Sequence, residues 1–368
     1  MTQRSWAGRD GRPEAGPSGR AAGVRGSSPG IVQDAALGTE IVTGNPVLAE
    51  VVRSGFTESR HRGAIAVVDT GGATVLRAGA VDTPVFPRSS SKPMQAAAML
   101  RCGLGLDGSL LALAAASHSG EDFHVAGVRE ILAGAGLTED ALQCPPDLPL
   151  DEPTLRRMVL ADAGPDRVHM NCSGKHAAML ATCVAAGWPT ASYTEPDHPL
   201  QLEIRRAIER LAGEPVTAVG VDGCGAPLFA LTLAGLARAF GALVRAGPGS
   251  PERRVADAMR AHPTWTSGTA RPDRRLMEAV PGLLLKSGAE GVEGLALADG
   301  RAAAFKIDDG DGARRARTVV TVALLRALGA DAGPGSDPAV LDGLASPEVL
   351  GGGRKVGEIR AVLPFLYS

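Results

Sequence analysis

No apolar run in this 368-residue sequence approaches the length of a membrane-spanning helix. The longest run, residues 110–116, has the length of a core segment. Arg4, Arg9 and Arg12 stand near the start, but no apolar stretch follows them, so they do not indicate a secretory signal. We therefore expect a cytoplasmic protein with no membrane partner.

The sequence also lacks a large net charge and a paired set of cysteines. A formal net charge of -2 gives no reason to expect nucleic acid or an anionic membrane as a partner. The five cysteines are widely spaced and odd in number, unlike the cysteines of small disulfide-stabilised domains. Some of them could bind a metal or fill the core as small apolar groups.

Lysine is scarce, since only five of the 38 basic residues are lysine and the rest are arginine. Base bias in the genome is a sufficient explanation for most of this difference. The few lysines are nevertheless candidates for chemistry that arginine cannot do, because a buried lysine beside another cation can lose its proton near neutral pH. Lys92, Lys175 and Lys286 lie in the motifs described below.

The first 42 residues differ in composition from the rest of the chain. They are rich in Gly, Arg, Ser, Ala and Pro and have no apolar periodicity, which predicts a disordered extension over residues 1–42. The remaining residues, 43–368, are enough to bury a sizeable core, and we predict that they form one catalytic domain.

Apolar runs and turn residues predict strands at both ends of that domain. Residues 64–68 and 74–78 flank a Thr-Gly-Gly turn, and the segments GLLLKSG, GLALADG and RAAAFKID precede a helix predicted over 318–328. The region between, about 93–265, is predicted to be mostly helical. This order predicts an α+β fold in which the N- and C-terminal segments share one antiparallel sheet around a mostly helical insertion.

The first candidate catalytic motif is Ser89-Ser90-Ser91-Lys92, at the predicted start of a helix. Positions i and i+3 share a helix face, so the Lys92 amine is predicted to lie beside the Ser89 hydroxyl. A neutral lysine there could deprotonate the serine and make it a nucleophile, and the helix N-terminus would stabilise negative charge. The alternative is a serine-rich cap followed by a surface lysine, because S-x-x-K alone often occurs by chance.

Two further motifs strengthen the catalytic interpretation. Residues 117–119 (Ser-His-Ser) follow an apolar segment, and residues 286–288 (Lys-Ser-Gly) end one. Serine β-lactamases and penicillin-binding proteins carry S-x-x-K, S-x-N and K-[ST]-G in this order, although Ser119 stands here where those enzymes have Asn. A second lysine facing the first disfavours its protonation and makes it a better base. The three motifs together favour a serine–lysine acyl-enzyme.

A third pattern joins residues 171–176 (NCSGKH) to residues 221–225 (VDGCG). Cys172 and Cys224 could bind zinc, with His176 as the third ligand that the spacing suggests. No zinc-finger spacing is matched, so buried inert cysteines are the alternative. The other cysteines are predicted to be structural: Cys102, Cys144 and Cys183.

Together the motifs PRSSSKP, ASHSGED, NCSGKHAAML, VDGCGAP and KSGAEG resemble the rhizobial-type L-asparaginases, or asparaginase II family, from about residue 47 onward. The resemblance implies a serine-β-lactamase-like fold, a homodimer, and hydrolysis of L-asparagine to L-aspartate and ammonia. NCSGKH with a downstream DGC is far more specific to this family than S-x-x-K.

The resemblance also implies a role for each matching residue. The catalytic residues would be Ser89 as the nucleophile, Lys92, and a second pair, Ser117 and Lys286, that assists proton transfer. The residues near the bound amino acid would be Arg88, His176 and Asp222. The zinc ligands would be Cys172, Lys175 and Cys224, with the metal orienting the substrate rather than generating the nucleophile.

Two alternatives stay open at the level of sequence. Another small-substrate amidase, either a glutaminase or a β-lactamase-like enzyme, would use the same scaffold, and the missing S-x-N argues against the latter. A non-catalytic zinc-binding homologue would bind metal at Cys172 and Cys224 but would release no ammonia.

Overall fold

The N- and C-terminal parts of the chain meet in one ten-stranded sheet. The computed structural model describes residues 44–363, together with the backbone of 31–34 and 39–42. The strands are β1 (Ile31–Asp34), β2 (Thr39–Val42), β3 (Val47–Arg53), β4 (Phe56–Val68), β5 (Thr74–Ala78), β6 (Val219–Val221), β7 (Pro227–Phe229), β8 (Leu284–Ser287), β9 (Val292–Ala296), β10 (Ala302–Ile307), β11 (Glu348–Gly351) and β12 (Arg354–Ala361).

Most helices lie between β5 and β8 along the chain. They are α1 (Lys92–Arg101), α2 (Gly108–Ala114), α3 (Asp122–Gly134), α4 (Glu152–Leu160), α5 (Ser173–Ala186), α6 (Pro199–Ala212), α7 (Leu233–Arg245), α8 (Pro251–Ala261), α9 (Pro263–Thr266), α10 (Pro272–Ala279), α11 (Ala316–Ala327) and α12 (Pro338–Ala345). Two 3₁₀ turns, Arg88–Ser91 and Glu139–Ala141, complete the set. Over the described ranges, none of these helices has the length and apolarity needed to cross a bilayer.

The sheet runs in the order β1-β2-β5-β4-β10-β9-β8, and β3, β12 and β11 continue from β4. The strand pairs are antiparallel, apart from β2 with β5, which are parallel. At the centre β4 pairs with β10, with Ile65 opposite Phe305. This pairing joins the two ends of the domain and confirms the predicted α+β class and its shared antiparallel sheet.

Both faces of the central strands are buried because helices cover each of them. Ala64 and Ala66 of β4 belong to a core cluster shared with the helical insertion, whereas Ile65 and Val67 belong to a second cluster with α10, α11 and α12. Successive side chains of a strand point to opposite faces, so an uninterrupted apolar run is what a sheet covered on both sides requires.

The insertion is mostly helical, as the sequence predicts, with one exception. Residues 93–265 contain α1 to α8 and most of α9, but β6 and β7 form a separate two-stranded hairpin in their midst. The three-residue strands are too short to give a periodic pattern. Their connecting turn contains Asp222, Gly223 and Cys224, so the hairpin carries the predicted VDGCG motif.

The remaining differences from the predicted elements lie at boundaries and edges. The predicted strand 64–68 is the second half of the thirteen-residue β4, and the predicted helix 318–328 is α11. β3, β11 and β12 were not predicted. They mix buried positions with half-buried or exposed ones, and polar residues interrupt their apolar runs.

The predicted disordered extension over residues 1–42 lies largely outside the described residues. Two four-residue strands, β1 and β2, fall within it, and β2 pairs with β5. For the rest of that segment, disorder stays a prediction.

Candidate active site

Ser89 lies in a strained 3₁₀ turn that leads directly into α1. Arg88, the residue before it, has a φ of 52°, a left-handed conformation that a non-glycine residue adopts at a cost of order 1–3 kcal/mol. Pro87 and Ser90 close the turn through a backbone hydrogen bond of 3.1 Å, and the Ser90 hydroxyl donates to the same Pro87 carbonyl at 2.6 Å. This conformation leaves Ser89 half-buried on the wall of a cavity.

The Lys92 amine is hydrogen-bonded to the second serine motif and to Cys172. Lys92 is 1% exposed, and its Nζ donates to the Ala116 carbonyl at 2.6 Å, to Ser117 Oγ at 3.0 Å and to Cys172 Sγ at 3.0 Å. Within residues 44–363, no hydrogen bond joins Lys92 Nζ to Ser89 Oγ. The three hydrogen bonds of the amine therefore go to acceptors from other parts of the chain, and the predicted proximity of Lys92 to Ser89 stays a prediction.

The predicted second pair is formed. Lys286 is the third of the four residues of β8. Its Nζ lies 3.0 Å from Ser117 Oγ and 2.8 Å from the Ser287 carbonyl. The Ser117 hydroxyl thus lies between two buried lysine amines, those of Lys92 and Lys286. A hydroxyl has one proton and two lone pairs, so it can accept from one amine while donating to the other.

Lys286 is the lysine whose surroundings favour the neutral amine. Burial of the side chain, and next the positive charge of Lys92, lower the pKa of Lys286 to about 7. The carboxylate of Asp273 opposes this shift, while Arg271 and Arg317 add to it. A neutral Lys286 can accept the Ser117 proton, which is the arrangement needed for general-base activation of a hydroxyl.

Behind these groups, the two motif cysteines meet Lys175. Cys172 is the N-cap of α5 and Cys224 follows β6, yet the two thiols are near enough that each shifts the pKa of the other. Lys175 Nζ donates to Cys224 Sγ at 3.1 Å and is 1% exposed. The structure therefore brings together the three side chains that the resemblance implies as zinc ligands.

The charges in this cluster favour a thiolate at Cys224. The neighbouring Cys172 thiol, opposed by burial and supported by the Lys175 ammonium, lowers the pKa of Cys224 well below its usual range. The neighbouring Cys224 and burial raise the pKa of Cys172. Burial disfavours the charge on Lys175, but the thiolate at Cys224 raises the pKa of this amine above its ordinary value.

These donors fit a zinc ion in chemical type. Two thiols and an amine lie together. Nε2 of His176, also buried, forms no hydrogen bond with any residue that the structure describes, while its Nδ1 bonds the Tyr193 hydroxyl at 2.7 Å. Among the described side chains, no cluster of three or more His, Cys, Asp or Glu is arranged to hold a metal, so a site here depends on Lys175 as a ligand.

Two of the three predicted substrate-binding residues, Arg88 and Asp222, form an ion pair. Arg88 Nε donates to Asp222 Oδ1 at 2.7 Å, and the same carboxylate oxygen accepts the Gly223 N–H at 2.9 Å. Asp222 Oδ2 lies 3.7 Å from Cys224 Sγ, which links this ion pair to the thiols. Arg88 also approaches Glu290 at 3.8 Å. The ion pair fixes the strained turn before Ser89 against the β6–β7 hairpin.

A cavity of about 260 Å³ opens over the two serines. Ser89, Ser117 and Asn171 line it. Its lining also includes three arginines that lie outside the predicted motifs: Arg271, Arg314 and Arg317. No sequence signal distinguishes these three from the other arginines of the chain. They reach the cavity only through the fold, which places the starts of α10 and α11 beside it.

Comparisons with known proteins agree with these motifs. A family model described as L-asparaginase II matches residues 49–361. Among curated proteins, none matches the chain in sequence.

Several solved structures are similar at low identity. A structure of Mglu is 17% identical, with a TM-score of 0.42 over 80% of this chain and 73% of that one. Mglu in its native form in 4.3 M NaCl is 18% identical, with a TM-score of 0.37 over 73% of this chain and 62% of that one, so the match spans less than two thirds of its length. A β-lactamase from Mycobacterium bovis is 15% identical, with a TM-score of 0.37 over 72% of this chain and 94% of that one.

Proposed function

The chain belongs to the L-asparaginase II family, and we propose that it is an L-asparaginase that hydrolyses the side-chain amide of L-asparagine through a serine acyl-enzyme. One observation carries the mechanism: Ser117 Oγ lies 3.0 Å from the amines of both Lys92 and Lys286. Ser89 lines the same cavity. Buried amines beside a hydroxyl in a cavity are the parts that acyl transfer by serine needs.

In the proposed first step, Ser89 Oγ attacks the amide carbon of the substrate. Its proton passes to the Ser117 oxygen as Ser117 gives its own proton to neutral Lys286. The contacts support Lys286 rather than Lys92 as the base, because Lys92 Nζ has three acceptors, which match the three protons of an ammonium group. The N-terminus of α1 stabilises negative charge that develops beside Ser89.

The tetrahedral intermediate then loses ammonia. Lys286, now protonated, returns its proton through Ser117 to the departing nitrogen, which leaves an aspartyl ester on Ser89. Water attacks this ester with the same two groups acting in reverse order as base and acid. The products are L-aspartate and ammonia, and the enzyme regains its starting protonation state.

Zinc, if bound, would be held by Cys172, Lys175 and Cys224, where it would orient the substrate through its positive charge. In this proposal Arg88 and Asp222 position the turn that carries Ser89, and both contact the substrate from that side. His176, whose Nε2 is buried and without a partner, is available to the substrate or to the metal. The protein would act as a cytoplasmic homodimer.

The first test is ammonia release from L-asparagine, L-glutamine and a chromogenic β-lactam by the wild type, Ser89→Ala and Ser117→Ala. We expect release from asparagine by the wild type and a loss of at least about 10³-fold in both variants, since residues acting as a unit each cost nearly the whole effect. Ser109→Ala is the matched control, because Ser109 lies in α2 and does not line the cavity, and it should stay within about tenfold of the wild type.

Peptide mapping of trapped acyl-enzyme would assign the nucleophile. An aspartyl adduct on the peptide containing Ser89 supports the mechanism above. An adduct on Ser117 would exchange the roles of the two serines, with Lys286 as the base of the nucleophile itself. Ammonia release from glutamine alone, or opening of the β-lactam alone, would identify one of the other amidases on this scaffold.

A further inference from the structure

The cavity that holds Ser89 and Ser117 has an arginine-rich wall, formed by Arg271, Arg314 and Arg317. We infer that Arg271 binds a carboxylate of the substrate, so that the site selects small amides that also carry a carboxylate group. This inference rests on the proposed amidohydrolase function and adds a specificity-determining residue to it.

Among the three arginines, Arg271 is the one that is partly buried and also lacks a charged partner among the described residues. Arg317 Nη1 donates to the Gly288 carbonyl at 2.7 Å, and its Nε lies 3.2 Å from Glu293. Arg314 is exposed to solvent. The side chain of Arg271 makes no hydrogen bond and no ion pair within 4.0 Å to any residue that the structure describes, and its Nε is buried.

An unpaired guanidinium in such a place is costly, and a bound carboxylate would remove the cost. Burial strips water from Arg271 and lowers the pKa of its guanidinium. A guanidinium offers parallel N–H groups whose spacing matches the two oxygens of a carboxylate, which gives strong and oriented binding. The charge of Arg271 is therefore better suited to a ligand than to the free protein.

The acidic groups around the cavity are occupied elsewhere. The Asp311 carboxylate accepts the backbone N–H groups of Arg315, Ala316 and Arg317 at 2.7, 2.9 and 3.0 Å, which caps α11. Asp273 accepts the Ser287 hydroxyl at 2.5 Å. Glu290, which also lines the cavity, lies 3.8 Å from Arg88. None of these three carboxylates comes within 4.0 Å of the Arg271 guanidinium, so the guanidinium is open to a substrate anion.

The loop that carries Arg271 is held in place before any ligand binds. Glu121 accepts both the N–H and the hydroxyl of Thr269, at 2.8 and 2.7 Å, and Ser119 Oγ donates to the Ser267 carbonyl at 2.8 Å. Gly268 has a φ of 135°, and a Cβ there would lie 1.9 Å from Ser119 Oγ. The segment after Ser117 thus fixes the arginine loop as well as the serine, and this lowers the entropic cost of binding.

The size of the cavity limits which ligands fit. About 260 Å³ accommodates only a small molecule, in a space lined by both the serines and the arginines. A small amino acid amide places its scissile carbonyl at the serines and its α-carboxylate toward Arg271. A neutral amide of the same size would leave the guanidinium unpaired.

The test compares L-asparagine with its α-carboxamide, in which the carboxylate is capped. In Arg271→Met, we expect KM for L-asparagine to rise about ten- to hundredfold with kcat within a few-fold, since a hydrogen-bonded charge pair is lost. Arg271→Lys should recover part of this loss. For the capped amide, the wild type and Arg271→Met should have the same kcat/KM. Arg275→Met, an exposed arginine of α10, is the matched control and should behave as the wild type.

An unchanged KM for L-asparagine in Arg271→Met, or an equal loss for the capped amide, would overturn the inference. L-Aspartate binding, measured by its effect on the melting temperature, separates this result from failure of the proposed function. If the wild type hydrolyses no amide, the asparaginase proposal fails by itself. The inference then requires that L-aspartate raise the melting temperature of the wild type and Arg275→Met but not of Arg271→Met, and it is wrong if that difference is missing.

Discussion

Ser117 is the residue on which the two buried lysines converge. Its position was predicted as the second serine of the site, but its contact with Lys92 was not. S-x-x-K spacing describes a single helix face, whereas the acceptors that hold Lys92 come from Ala116, Ser117 and Cys172, one of them eighty positions away along the chain. Local spacing could therefore identify the reacting residue types, but not which serine each amine reaches.

At the same scale, the pH dependence of activity reports on Lys286. The base must be neutral, and the pKa of this amine is lowered to about 7 by burial and by Lys92, against the opposing charge of Asp273. We expect kcat/KM for L-asparagine to rise about tenfold per pH unit below 7 and to level off above it.

Lys286→Arg is the matching variant, because arginine stays protonated throughout this range. It should lose about 10²- to 10⁴-fold in kcat/KM, whereas Lys355→Arg, an exposed exchange, should keep both rate and profile. A residual activity in Lys286→Arg that still titrates near pH 7 would assign the inflection to another group.

At the scale of elements, the N-terminus of α5 holds three of the predicted site residues. Cys172 precedes its first residue, and Lys175 and His176 lie in its first turn. Gly174 is where this end of the helix passes α2, since a Cβ there would lie 2.7 Å from both the carbonyl oxygen and Cγ of Leu113. The glycine of NCSGKH therefore has a packing role that the motif alone does not reveal.

Gly174→Ala should destabilise the protein by about 1–3 kcal/mol, because a buried methyl group forces α2 and α5 apart. Urea denaturation measures the change. Gly134→Ala is the control, since Gly134 also lies in a helix but has nothing within 4 Å of its added Cβ, and its stability should be unchanged or slightly higher. Equal effects of the two substitutions would contradict close packing at Gly174.

Sequence patterns predicted the elements whose periodicity is strong and continuous. The buried strands β8 to β10 and the helix α11 belong to this class. The hairpin of β6 and β7 was missed because three residues give no period, although Asp222 and Cys224 in its turn were recognised through their motif. The arginine wall could not be predicted for a different reason. Arg271 lies at the start of a helix, and no neighbouring residue distinguishes it from the other arginines.

For the whole molecule, the site depends on distant parts of the chain meeting at one end of the sheet. Ser89 and Lys92 come from the segment after β5, Cys172 and Cys224 from the helical insertion, and Lys286 from β8. The predicted order of strands, helices and strands was sufficient to predict that both ends of the domain share one sheet. It could not give the depth at which the groups lie, because burial depends on side chains from both core clusters.

Metal binding at Cys172, Lys175 and Cys224 would cross-link α5 to the β6–β7 hairpin and stabilise the folded chain as a whole. A ligand that binds only the native state adds ~2.7 kcal/mol at a hundred times its Kd. We expect zinc to raise the melting temperature of the wild type and to remain bound after dialysis, and Cys224→Ser to lose both effects.

Cys102→Ser is the control, because this half-buried thiol lies at the end of α1, outside the cluster. It should respond to zinc as the wild type does. Equal zinc content in the wild type and Cys224→Ser would remove the cluster from metal binding.

The burial of the lysines also determines how this protein can be attached to other materials. Lys92, Lys175 and Lys286 are each 1% exposed, and Lys306 is held by the Glu290 carbonyl at 2.7 Å. Lys355 on β12 is the lysine with an exposed side chain. Activated esters used for immobilisation or polymer conjugation would therefore modify Lys355 before the other four lysines. Since β12 contributes nothing to the cavity wall, conjugation there leaves the entrance to the serines open.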